Sequence, residues 1–197
     1  MLENQTVAGA LFEIGAVRFG RFTLHSGAIS PIYLDLRLLA SYPAVLRQVA
    51  QAYAALLSPL AFDVLAAIPY AGLPIGTAIA LAMDRPLVFP RKQAKSYGVG
   101  KSVEGWWNVG DRAVIIEDLV TSGDSVLEGI AVLEAAGLQV RDVVVLIDRQ
   151  QGGQAALAAR GYRLHAVMTL TQLLSDLEEQ GRITPEQRRQ VLQALSL

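Results

Sequence analysis

The 197-residue chain contains no cysteine, which excludes disulfides, thiolate catalysis and cysteine-bound zinc. It also lacks an excess of charge of either sign. Seventeen basic residues face 18 acidic ones for a net charge of -1, so no overall field draws in nucleic acid or an anionic membrane. Any anion site must therefore be local. No segment reaches the roughly 18 uninterrupted apolar residues of a membrane span. The start, MLENQTVAGALFEIGAV, carries acids early and has no basic stretch ahead of an apolar run, so it does not read as a secretory signal. These absences lead us to expect a cytoplasmic protein with no nucleic-acid or membrane partner. Lysine is scarce too. The only lysines, Lys92, Lys95 and Lys101, share one ten-residue stretch, and every other basic residue is an arginine. That is either chance in an arginine-preferring chain or a loop selected for mobile ammonium groups.

A composition that is 52% hydrophobic and 18% charged belongs to a compact chain long enough for one core. Leu2 to Val17 has apolar residues at helical spacing, SGAISPIYLDLR reads as a turn into a strand, and Pro43 opens an amphipathic helix. The runs DVLAAI, PLVF, AVIIE, VVVLI and RLHAVM are short and rich in Val and Ile, and most are separated by helical or turn-rich segments. Such runs suit strands buried on both faces, which predicts a doubly wound, mostly parallel sheet flanked by helices. The tail predicts two helices joined at Gly181, with Thr184 capping the second and Pro185 at its first position.

The stretch VIIEDLVTSGDSV, Val114 to Val126, concentrates the chemistry. Val114 to Ile116 predict a strand and Asp124 to Ala136 an amphipathic helix, leaving EDLVTSGD as the loop at the strand's carboxyl end, where open parallel sheets bind ligands. Thr121, Ser122 and Gly123 at a helix start offer hydroxyls and unpaired N–H donors to an anion. An ordinary Ser/Thr helix cap is the alternative. Glu117 and Asp118 would repel a phosphate unless they address uncharged hydroxyls or a bridging Mg2+. Since strand neighbours point to opposite faces, both acids reach one ligand only if the backbone bends there. A sugar bearing a terminal phosphate satisfies both halves.

This stretch resembles the 5-phosphoribosyl-1-pyrophosphate (PRPP) motif of type I phosphoribosyltransferases. FTLHSGAISPIYLDLR, RKQAKSYGVGKSVEG and VVVLIDRQQGG are similar to the base-binding segment, the flexible catalytic loop and a late strand and loop of the orotate phosphoribosyltransferases. The likeness covers nearly the whole chain and is closest to the orotate domain of UMP synthases. It implies a single domain: a small N-terminal base-binding hood over 1–40, a PRPP-binding α/β core over 41–168, and C-terminal helices over 169–197. It also implies transfer of the phosphoribosyl group of PRPP to orotate in pyrimidine synthesis, giving orotidine 5'-monophosphate and pyrophosphate.

On this resemblance Glu117, Asp118, Leu119, Val120, Thr121, Ser122, Gly123, Asp124 and Ser125 hold the ribose 5-phosphate part of PRPP. Tyr70, Ala71, Arg91, Lys92, Lys95 and Tyr97 meet its pyrophosphate, and His25, Tyr33, Thr121 and Arg149 meet orotate. Lys95 is expected to matter most to catalysis, with Lys92 and Asp118. Mg2+ is implied as the cofactor, bound mainly through PRPP rather than by dedicated protein ligands. A homodimer sharing the loop between subunits and an orotidine monophosphate decarboxylase are the implied protein partners. Arg149 has an alternative, a salt bridge with neighbouring Asp148.

The chain departs from the family pattern in places. His25 stands where many relatives have lysine, and Ala71 replaces the lysine of a Tyr-Lys pair, which removes a pyrophosphate contact. Tyr97 stands where some have histidine, and Asp124 puts an acid close to the expected phosphate. GVGKS is not a P-loop, because the required first glycine would be Lys95 and no strand precedes it. Trp106 and Trp107 read as packing or interface residues. The rival readings are a transferase for a purine or uracil and a PRPP-sensing regulator without catalysis.

Overall fold

The protein is described by a computed structural model that covers residues 6–23, 27, 29–91 and 102–197. Helix α1 (Val7–Glu13) leads into an antiparallel pair, β1 (Val17–Thr23) and β2 (Ile29–Leu34), followed by a 3-10 turn over Leu36–Ser41. The helical spacing of the first segment stops at Gly15, which takes φ +75° and turns the chain into β1. Then come α2 (Pro43–Leu57), β3 (Val64–Ala67), α3 (Gly72–Met83), β4 (Leu87–Pro90) and a short β5 (Val103–Glu104). The second half alternates β6 (Arg112–Val120), α4 (Asp124–Ala135), β7 (Gln139–Asp148), α5 (Gly153–Ala158) and β8 (Arg163–Thr169), and ends in α6 (Leu170–Glu179) and α7 (Pro185–Leu195).

The main sheet runs β5-β4-β3-β6-β7-β8. All neighbours are parallel except β5, which runs against β4. Val64 to Ala67 and Ala113 to Glu117 are buried without a break because helices cover both faces. Ile75 and Ile79 of α3 and Val45, Val49 and Tyr53 of α2 pack with Val114 and Ile116 on one face. Val126, Ile130 and Leu133 of α4 pack with Ala113 and Ile115 on the other. The doubly wound sheet read from the apolar runs is therefore present, with β5 added at the edge.

Chain order reverses direction between β3 and β6, so their carboxyl ends flank a crevice of the kind that receives ligands. Outside the sheet, α1 packs on α6 and α7 packs on β2. The Gln180 side-chain amide also donates to the Thr6 hydroxyl at 2.8 Å, and Arg182 pairs with Glu13. Both C-terminal helices start on a full capping box, Thr169 with Gln172 and Thr184 with Gln187. Among the described residues no helix is long and apolar enough to cross a membrane.

Candidate active site

Of the four helices that begin at the carboxyl edge of the sheet, three have starts that differ from those of α1, α6 and α7. The latter are each capped by a threonine side chain, Thr6, Thr169 and Thr184. Helices α3, α4 and α5 begin at Ala71, Gly123 and Gly152 with no side-chain cap at all. The first N–H groups of α4 are thus left without a side-chain acceptor, and they carry the positive end of the helix dipole. The ordinary Ser/Thr cap is not what the sequence builds here. The Ser122 hydroxyl instead donates to the Asp124 carboxylate at 2.7 Å, and both side chains are exposed. This accounts for Asp124: it faces outward and orders the Ser122 side chain.

The turn Thr121–Gly123 is pinned from beside by α5. Gly153 N–H donates to the Thr121 carbonyl at 2.8 Å, and a Cβ on Gly153 would lie 2.5 Å from Val120 Cγ2 and 2.8 Å from that carbonyl oxygen. Gly123 takes φ +92° with its open side against Gly153. Two glycines therefore let one helix start lie directly on the cradle of another. The GG of VVVLIDRQQGG is the sequence trace of this contact, though sequence reasoning gave it no role.

The strand β6 runs to Val120, four residues past the Ile116 boundary expected from the sequence, so Glu117 and Asp118 lie within the strand and the loop shrinks to Thr121–Gly123. Two acids look like loop residues, but the pairing with β7 carries the strand through them. The pairing has a gap. Glu117 pairs with Val145 and Leu119 with Ile147, while Asp118 and Leu146 are skipped. The Asp118 N–H is instead held by the Glu117 carboxylate at 3.0 Å. Side-chain alternation slips at the same place: Ile116 and Leu119, three apart, join the same apolar cluster, as do neighbours Leu146 and Ile147. The backbone bend that two adjacent acids require is present here.

The Glu117 carboxylate lies over the start of α3, 3.5 Å from where a Gly72 Cβ would stand. The Asp118 carboxyl is half-buried; burial raises its pKa, partly countered by the hydrogen bond from Glu117 and by the Arg37 guanidinium. Arg37 donates to the Tyr33 hydroxyl at 3.0 Å and to Asp35 at 2.7 Å, and Arg18 sits 5.1 Å over the Tyr33 ring. Tyr33 is thereby tied to the arginine that acts on Asp118, a link absent from the sequence reading.

Arg149 follows β7, and its N–H donates to the Val120 carbonyl at 3.0 Å, which places it at the base of the cradle. It is 8% exposed, and among the described residues its Nε and Nη2 have no hydrogen-bond partner. Burial lowers its pKa, though a guanidinium remains charged. The alternative salt bridge does not form, because Asp148 accepts from the Gln150 N–H at 2.8 Å instead. Gln150 in turn accepts from the Thr171 N–H at 3.0 Å and its hydroxyl at 2.6 Å, which anchors the Arg149 turn to α6.

Tyr70 is exposed and Ala71 buried at the start of α3. Arg91 pairs with Glu104 of β5, and together with Tyr70, Leu73 and Phe89 the two line a cavity of about 570 Å³. A second cavity, about 320 Å³, connects Arg91 and Pro69 to Ser125 and Glu128 of α4. His25, Lys92, Lys95, Tyr97 and Lys101 lie outside the described residues.

A parallel sheet with an uncapped helix start behind an acid pair at its switch point defines a phosphoribosyl transferase domain, and the family model of that description matches residues 39–159. The chain is 44% identical over 177 residues to the "Bifunctional enzyme PyrF/PyrE" of Nostoc sp., covering 90% of itself but 37% of that protein. It is 38% identical over 187 residues to the orotate phosphoribosyltransferase of Pyrobaculum aerophilum, covering 94% of itself and 96% of that protein. The solved structure of Leishmania donovani UMP synthase superposes with a TM-score of 0.90 at 46% identity, over 96% of this chain and 41% of that one. The chain belongs to the orotate phosphoribosyltransferase family of phosphoribosyl transferase domains.

Proposed function

We propose that this chain transfers the 5-phosphoribosyl group of PRPP to a ring nitrogen of orotate, releasing pyrophosphate and forming orotidine 5'-monophosphate. The observation that carries the reading is Arg149: a buried guanidinium with two unpaired nitrogens, fixed by its own backbone to the base of an anion cradle. A planar anion with a carboxylate and carbonyl oxygens meets that fork better than a neutral purine or uracil does.

In the reaction the bond from the sugar C1 to pyrophosphate breaks and a bond to the base nitrogen forms. Positive charge develops on the sugar while pyrophosphate leaves with the bonding pair. The free N–H groups at the α4 start, with Thr121, Ser122 and Ser125, take the 5-phosphate. Glu117 and Asp118 take the ribose hydroxyls, which donate hydrogen bonds without adding negative charge. Arg91, Lys92 and Lys95 receive the leaving pyrophosphate, with Tyr70, Ala71 and Tyr97 beside it. His25, Tyr33 and Thr121 complete the orotate pocket.

Mg2+ fits this site as a companion of the substrate. Among the described residues no cluster of three or more His, Cys, Asp or Glu could hold a metal, so PRPP oxygens would be its main ligands. It would supply charge neutralisation on the leaving group. The same reading includes a homodimer sharing the Arg91–Gly105 loop between subunits, a cytoplasmic location, and an orotidine monophosphate decarboxylase as partner. The match spans 37% of the bifunctional relative's own length.

The test is a spectrophotometric assay following loss of orotate absorbance with PRPP, with and without Mg2+, against uracil and adenine controls. Orotate-only, Mg2+-dependent turnover is the expected result. Turnover of another base would reassign the substrate, and tight PRPP binding with no turnover would replace the enzyme by a PRPP sensor.

A further inference from the structure

The bend at Glu117–Asp118 in β6 is met from outside the sheet by a residue of α2. Tyr53 lies in the middle of α2, on the apolar stripe with Val45, Val49 and Leu57, and is completely buried. Its hydroxyl donates to the Glu117 carbonyl at 2.6 Å across 64 residues of sequence.

In a parallel ladder with Glu117 opposite Val145, the Leu146 N–H is the group that would bond the Glu117 carbonyl directly. The Tyr53 hydroxyl thus reaches the carbonyl of this rung from outside the sheet. The following pair, Asp118 with Leu146, is the one the ladder omits, and there the alternation of side chains slips in both strands. An aliphatic residue at position 53 would pack equally well on α2 but would leave a buried carbonyl and N–H to close on each other.

We propose that Tyr53 is a positioning residue for the sugar-binding acids: its hydroxyl acts as a peg against the Glu117 carbonyl and turns Glu117 and Asp118 towards the same ligand. The inference rests on the proposed reaction, in which that ligand is the ribose of PRPP. Tyr53 does not touch the substrate. It acts through the Glu117 carbonyl, so its loss falls first on PRPP, while orotate's Arg149 is held separately by its N–H bond to the Val120 carbonyl and by the Gln150–Thr171 anchor.

The experiment compares wild type, Tyr53→Phe and Val49→Ala. PRPP affinity is measured by calorimetry without orotate, KM for each substrate by the orotate absorbance assay, and folding by thermal melting. Tyr53→Phe keeps the ring and removes only the peg. A roughly 10- to 100-fold weaker PRPP affinity is expected, of the order seen when a reacting group is misplaced by about an ångström, with orotate KM within about twofold of wild type. Val49→Ala, which loosens the same helix without touching the hydroxyl, is expected to lower the melting temperature and leave PRPP affinity within about twofold.

PRPP affinity unchanged in Tyr53→Phe would overturn the proposal. So would equal weakening of both substrates, or equal weakening by Val49→Ala, since either outcome reports general loosening. If Tyr53→Phe does not fold, PRPP affinity of Tyr53→Met decides instead, because a flexible thioether chain fills the space without offering a donor to the Glu117 carbonyl. Retained wild-type affinity there would overturn the proposal. A wild-type protein that binds PRPP but fails to use orotate would refute the reaction reading alone and leave the peg testable by PRPP binding.

Discussion

Arg149→Met should move stability and activity in opposite directions. Arg149 is 8% exposed, and among the described residues its Nε and Nη2 have no partner. Leaving a buried polar group unsatisfied costs about 1–3 kcal/mol, and more for a charged one. Methionine fills a similar length with an apolar chain and carries no such cost. The unliganded variant should therefore be more stable by about 1–3 kcal/mol, a rise in Tm of about 2–12 °C at the roughly 2–4 °C per kcal/mol typical of chains this size. The same change deprives orotate of its charged fork. Removing one partner of a buried charge pair costs about 2–5 kcal/mol, which is a loss of roughly 30- to several thousandfold in kcat/KM for orotate. PRPP, held by α4 and β6, should keep its KM within about twofold. Thermal melting of the unliganded protein and steady-state kinetics in each substrate test both halves. A lowered Tm would mean that the guanidinium is satisfied in the free protein, and an unchanged orotate KM would mean that it does not face the base.

The close approach of α5 to the cradle makes Gly153→Ala a sharp probe. Its Cβ would sit 2.5 Å from Val120 Cγ2 and 2.8 Å from the Thr121 carbonyl oxygen, an overpacking cost of about 1–3 kcal/mol against a helix-propensity gain of at most about 1. KM for PRPP should rise by about tenfold or more, and a value within twofold would show that the cradle is not set by this contact. Thr171→Val removes the 2.6 Å hydroxyl bond to Gln150 that steadies the Arg149 turn. Orotate KM should rise by about two- to tenfold, the equivalent of one ordinary hydrogen bond, while PRPP KM stays put. Burial pushes the Asp142 carboxyl up, but hydrogen bonds from Arg163 and His165 outweigh it and hold the pKa below the usual range. A depressed carboxylate stabilises the fold above its unfolded pKa of about 4, and that contribution is lost as pH falls through the folded value. The Tm gap between wild type and Asp142→Asn should thus be full near pH 7 and shrink below about pH 4; a gap that does not narrow would show that Asp142 acts through packing.

The parts of this fold that were legible in the sequence are those governed by local rules. Runs such as AVIIE and VVVLI announce strands because a sheet covered on both faces demands Val and Ile without alternation. Thr184 and Pro185 announce α7 because a cap and a first-turn proline act within three residues of each other. The absence of a cap at α4 was not legible: a Thr-Ser-Gly turn has the composition of an ordinary cap, and only the geometry shows the Ser122 hydroxyl given to Asp124. The end of β6 was misplaced for a related reason. Composition marks Glu117 and Asp118 as loop, while β7 keeps them in the sheet. What lets them stay there and still share a ligand is a tyrosine 64 residues earlier, which reads in the sequence as one more apolar position of an amphipathic helix. Arg149 is similar, since its residue type suggests an anion but its worth depends on Asp148 being occupied elsewhere. The site lies where the period of the strand breaks, and a break in period is made by contacts from other elements, which neighbours in sequence do not encode. Strand, cradle and charge can therefore be read along the chain, whereas the aim of the two acids is a property of the packed protein, where a buried tyrosine of α2 reaches the Glu117 carbonyl.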